Sequence, residues 1–143
     1  MAEELKPLPI ITPLTEPFWH AMRERRLVLQ RCSACNSFVW TPRPACVECG
    51  SDRLEWTRVS GKGKVFSFTV IRQVTSRGGR GFEKELPYVV AWIELDEGPR
   101  LCSNVVDCPV DRVAIGMSVE VVFEEAGGPI SLPKFRPEAI KTR

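Results

Sequence analysis

The sequence predicts a mostly β chain made of a short N-terminal helix, a metal ribbon built on four cysteines and a C-terminal five-stranded barrel. Three observations predict it. Two Cys-x2-Cys pairs stand ten residues apart, five apolar strand patterns follow within roughly 80 residues, and only one segment has helical spacing of its apolar residues. The chain has 143 residues, 43% hydrophobic and 27% charged. That length suits one domain or two very small ones, and the composition is far from the low-apolar signature of disorder. No apolar run approaches the ~20 residues a bilayer requires, and the start Met-Ala-Glu-Glu-Leu-Lys is unlike a secretory signal, so a cytoplasmic location is expected.

The elements follow in order. Pro7, Pro9 and Pro13 make the first 14 residues an extended arm. Thr15 offers an N-cap, Glu16 and Pro17 suit a first turn, and Phe18, Trp19 and Met22 lie at helical spacing in a segment running to Arg26. Residues 1–26 therefore form an arm and a helix whose apolar face must pack on something else. Residues 27–59 form the ribbon, entered by a strand over Leu27 to Arg31.

Residues 60–143 read as strands at Lys64 to Val74, Pro87 to Asp96, Arg100 to Val106, Ser118 to Glu124 and Ile130 to Phe135. Turn signals at 77–81, 96–99, 107–109 and 126–129 separate them, which suits a small, partly open barrel of the OB type. Phe66, Phe68 and Val70 share one strand face suited to the interior. The second strand is apolar on both faces, Val89, Ala91, Ile93 and Leu95 against Tyr88, Val90 and Trp92, so it needs cover on both, from the helix and ribbon or from another protein.

Cys32, Cys35, Cys46 and Cys49 supply four thiolates in two tight pairs, the ligand set of a tetrahedral zinc site. Asn36 and Gly50, each directly after a pair, tolerate the positive φ that curls the backbone so that amides face the sulfurs. A reducing compartment argues against disulfides. A mononuclear iron site uses similar ligands, and metal analysis separates the two. Four protein ligands leave no open position for water, so the centre is structural rather than catalytic.

Little else suggests catalysis. His20 is the only histidine and reads as a surface or packing residue; Cys102 and Cys108 read as small buried hydrophobes. Gly61-Lys-Gly-Lys64 lacks the spacing of a phosphate loop and reads as a turn opening the first barrel strand. The net charge is +2, but residues 16–84 carry 13 basic and 6 acidic groups while residues 85–143 carry 6 and 10. The first half can attract an anion. Arg77-Gly-Gly-Arg-Gly81, with aromatics on a barrel strand, keeps open a rival reading as a single-stranded nucleic-acid module.

The assembled motifs resemble a known family, the bacterial and archaeal acyl-CoA-associated proteins called domain of unknown function 35. The resemblance runs from about Phe18 to Pro137. It rests on the four cysteines, on Gly61-Lys-Gly-Lys-Val-Phe-Ser-Phe-Thr69, Pro87-Tyr-Val-Val90, Glu94-Leu-Asp-Glu97, Ile115-Gly-Met-Ser-Val-Glu-Val-Val-Phe123 and Leu132-Pro-Lys-Phe-Arg-Pro137. It implies a rubredoxin-like zinc ribbon joined to an OB-fold. It also implies an accessory role beside thiolase-like enzymes: acyltransferases, thiolases and the lipid-transfer-type aldolases of steroid side-chain breakdown. On that basis no residue of the chain is catalytic, and Arg43, Lys62, Lys64, Arg72, Arg77 and Arg80 are candidates to line an entrance for the phosphates of CoA. The aromatics of the helix (Phe18, Trp19), of the ribbon loop (Phe38, Trp40) and of the second strand (Tyr88, Trp92) are the expected contacts to a partner enzyme.

Overall fold

The computed structural model describes residues 6–74 and 81–139. One helix, α1 (Glu16–Arg23), precedes eight strands: β1 (Val28–Cys32), β2 (Phe38–Val39), β3 (Leu54–Arg58), β4 (Lys62–Ile71), β5 (Tyr88–Leu95), β6 (Arg100–Val105), β7 (Ser118–Gly127) and β8 (Ile130–Pro137). Among the described residues no helix is long and apolar enough to cross a membrane.

The helix begins where Glu16 and Pro17 favour it and buries Phe18, Ala21 and Met22. Thr15 does not cap it through its side chain. Its hydroxyl instead accepts from the Thr12 amide at 3.0 Å, in a turn that also bonds the Glu16 amide to the Thr12 carbonyl. The helix stops three residues earlier than its spacing suggested, because Arg25 takes φ +60° and the Arg26 amide turns back to the Ala21 carbonyl.

Strands β2, β1 and β3 form a small antiparallel sheet in that order, and β4-β5-β6-β8-β7 close into a barrel, where a partly open one was expected. Strand β5 follows the predicted alternation: Val89, Ala91, Ile93 and Leu95 are buried. Its other face is covered only in part: Tyr88 and Val90 are half-buried, and Trp92 remains 50% exposed. Strand β4 departs from a simple period of two. A bulge between Val65 and Ser67 resets its parity, so Phe66 points outward, with the Arg100 guanidinium 3.8 Å above its ring, while Phe68 and Val70 pack on the core. Gly63 must be glycine, since a Cβ there would sit 2.4 Å from the Glu94 carbonyl oxygen.

Barrel closure between β6 and β8 is parallel and short, with Val105 opposite Phe135. The Val106 amide donates to the Phe135 carbonyl at 2.7 Å, and the Ser103 hydroxyl to the Pro133 carbonyl at 2.7 Å. Pro133 has no N–H to extend the ladder. A single apolar core runs through the whole assembly, from Phe18 and Met22 through Leu27 and Leu29 of the ribbon base to Ile93, Val119 and Phe135 of the barrel. A second, smaller cluster, Cys32, Val39 and Cys46 with Leu54 against it, surrounds the sulfurs.

Candidate functional site

The two cysteine knuckles are built alike. In the first, the Asn36 amide donates to the Cys32 carbonyl and the Cys32 amide to the Ser37 carbonyl; in the second, Gly50 bonds Cys46 and Cys46 bonds Ser51 in the same way. Asn36 at φ +63° and Gly50 at φ +78° supply the left-handed residue each turn needs. Between the knuckles, Gln30 of β1 clamps the loop: its Nε2 donates to the Arg43 carbonyl at 3.0 Å and its Oε1 accepts from the Arg43 amide at 2.7 Å. Sequence reasoning missed this buried amide, and the signal available was a polar residue inside the otherwise apolar run of β1.

The four Sγ atoms lie within 4.8 Å of one another. The Cys32–Cys49 and Cys35–Cys46 separations are 3.6 Å. A disulfide needs about 2.05 Å. A tetrahedral ion with metal–sulfur bonds of about 2.3 Å sets its ligands about 3.8 Å apart, a spacing close to that of the two 3.6 Å pairs. Electrostatics favour the same conclusion. The hydroxyl and amide of Ser37 hold the Cys35 thiol down to about 6, and the amides of Cys35 and Ala34 lower that of Cys32. Cys49 receives the Ser51 amide, yet the crowding thiols push it up to about 12. Four such sulfurs ionise together only around a cation.

Four of the six residues expected at an anion entrance, Arg43, Lys62, Lys64 and Arg72, fall within the described residues. Lys62 is the first residue of β4 and Arg72 directly follows its last, Ile71. Lys62 lies 3.5 Å from Glu138, Arg72 lies 4.0 Å from Asp111, and Lys64 stands opposite Glu94 in register. Arg43 is on the ribbon loop, and Arg77 and Arg80 lie outside the described residues. His20 is a surface residue bonded to Glu24.

The helix and ribbon aromatics meet each other. Phe18 packs on Trp19, Trp40 and Trp56 at centroid distances of 4.9, 5.2 and 6.2 Å, so this cluster is a joint between parts of the chain. The large apolar side chains left in solvent are others, among them Ile10 of the arm (85% exposed), Phe66 and Trp92. Cys102 is exposed rather than buried, and Cys108 is half-buried against the core. Cys102 borders a cleft between α1, the ribbon loop, β6 and β8.

A DUF35 domain-containing scaffold protein of Methanothermobacter thermautotrophicus is 35% identical over 136 residues, covering 90% of this chain and 99% of that protein. This chain belongs to the DUF35 family. Residues 19–55 of this DUF35 protein match the rubredoxin-like zinc ribbon domain of ChsH2, and residues 56–124 match the ChsH2 C-terminal OB-fold domain. A chain of the solved Ltp2-ChsH2(DUF35) aldolase is similar at 37% identity with a TM-score of 0.78, over 91% of this chain and 98% of that one. A probable enoyl-CoA hydratase alpha subunit of Thermomonospora curvata is 38% identical over 133 residues. This DUF35 chain spans 93% of its own length there but only 40% of that relative's.

Proposed function

We propose that this DUF35 chain is a non-catalytic accessory subunit or domain that supports a thiolase-like aldolase or acyltransferase acting on acyl-CoA thioesters, in lipid or steroid side-chain breakdown. The observation that carries the reading is the likeness to the Ltp2-ChsH2(DUF35) aldolase along 98% of the matched chain. The chemistry of the chain agrees: its one tight constellation of reactive side chains among the described residues is a four-thiolate centre with no ligand position to spare. Cys32, Cys35, Cys46 and Cys49 would hold one structural Zn2+, fixing the ribbon loop that carries Trp40. Arg43, Lys62, Lys64, Arg72, Arg77 and Arg80 would offer basic contacts to the phosphates of CoA in such an assembly.

Co-expression with a neighbouring thiolase-like enzyme, size exclusion and an acyl-CoA turnover assay test the proposal. A stoichiometric complex with activity absent from this chain alone is expected. Turnover by the isolated chain, or no complex, overturns it.

One observation favours a second reading. Phe66, Trp92 and Arg100 crowd the outer face of β4–β6, where bases of a single strand can stack. Glu94 neutralises Arg100 at 2.9 Å, which weakens that reading. Nucleic-acid binding predicts an affinity falling steeply with salt.

A further inference from the structure

The cleft between α1, the ribbon loop, β6 and β8 has a volume of about 360 Å3, within the roughly 300–1,000 Å3 of small-molecule sites. Its walls are apolar, formed by Phe18, Trp19, Trp40, Pro42, Leu132 and Pro133. Two of its polar side chains are already engaged: the Ser103 hydroxyl donates to the Pro133 carbonyl, and the Asn104 Nδ2 to the Val89 carbonyl at 2.7 Å. That leaves Lys134 as the one charged side chain on the lining.

Lys134 is half-buried, and among the described residues its ammonium donates to Asn104 Oδ1, a neutral acceptor. The nearest carboxylates are committed elsewhere. Glu85 and Glu124 border a neighbouring cleft whose lining Asn104 and Lys134 share, and Lys6 lies 2.5 Å from the first and 3.8 Å from the second. Burial lowers the Lys134 pKa, with Glu124 and Glu85 only partly opposing it. A partly desolvated cation at the edge of an apolar cleft gains most from a counter-charge delivered inside that cleft.

We propose that this cleft binds a small amphiphile with a carboxylate head, its apolar body against Phe18, Trp40 and Pro133 and its carboxylate on Lys134. The inference does not rest on the partner-enzyme reading, and its test needs no partner.

Trp19 and Trp40 on the walls make tryptophan fluorescence the readout. The full chain with its metal is titrated with decanoate below its micelle concentration, and with decanol and decyltrimethylammonium as neutral and cationic equivalents. Saturable one-to-one quenching by decanoate, at least tenfold tighter than by decanol, is expected. Lys134→Met should erase that preference and Lys134→Arg should keep it, both variants being shown folded by a cooperative thermal melt. Absence of saturation, equal affinity for the alcohol and the acid, or an unchanged preference in a folded Lys134→Met variant overturns the proposal. Should Lys134→Met fail to fold, the decanoate-to-decanol ratio of the parent chain decides by itself.

Discussion

Cys46 is buried against Val39 and Leu54 while Cys102 is exposed on a barrel strand, and the two thiols should answer substitution in opposite ways. Cys46→Ser is expected to drop metal content well below one per chain and to unfold the ribbon, since structural Zn2+ is worth an apparent ~10 to 16 kcal/mol in small finger peptides. Cys102→Ser should leave one Zn2+ in place, as elemental analysis of both proteins would reveal. Iron in the parent chain would overturn the assignment of the metal. Because the ligands must be deprotonated, the metal should be held at neutral pH and released as pH falls. The likeness of the two knuckles gives a finer test. Gly50→Asn places in the second turn the residue type the first turn uses, with nothing within 4 Å of the new Cβ, and should melt close to the parent. Gly63→Ala drives a Cβ toward the Glu94 backbone and should destabilise by ~1 to 3 kcal/mol. The clustering of the four cysteines and both left-handed positions were legible in the sequence, because Cys-x2-Cys spacing and positive φ restrict residue type sharply. The Gln30 clamp was not, because a side-chain bond to a backbone 13 residues away leaves no local pattern.

At the scale of elements, aromatics that looked alike in sequence divide into two kinds. Phe18 is 4% exposed in a cluster of three tryptophans, so Phe18→Ala should cost ~3 to 5 kcal/mol and lower the melting temperature. Trp40→Ala, in the same cluster, should also destabilise. Trp92→Ala should melt within ~0.5 kcal/mol of the parent yet weaken partner binding by ~2 kcal/mol or more if this face is a contact. Calorimetric melts followed by pull-down of the partner separate the two; normal binding by folded Trp92→Ala removes β5 from the interface. Apolar strand patterns between turn signals located all five barrel strands, most plainly β5, which buries alternate residues. Periodicity misjudged Phe66, because a bulge inverts parity without changing composition, and it missed β3, whose residues are at most half-buried and show weak alternation.

Across the whole molecule, one core joins helix, ribbon base and barrel, so chelating the metal should broaden or split a melt that is single with metal bound. Two-probe melts, by tryptophan emission and far-ultraviolet dichroism, check this: the emission change, dominated by the joint around Trp40 and Trp56, should come first. The division into helix, ribbon and barrel was legible, whereas the continuity of the core depends on which faces dock and is invisible to periodicity. Closure of the barrel carries a further consequence. Between β6 and β8 the backbone ladder is almost absent, and Ser103 with Asn104 and Lys134 finish the seam through side chains. Amide hydrogens there should exchange with deuterium sooner than those of β5, led by Val106, whose one bond to Phe135 spans the gap. The apolar cleft lies over this seam. A molecule seated in it would act as a rivet, and slower exchange at Val106 would record its presence from the inside of the barrel.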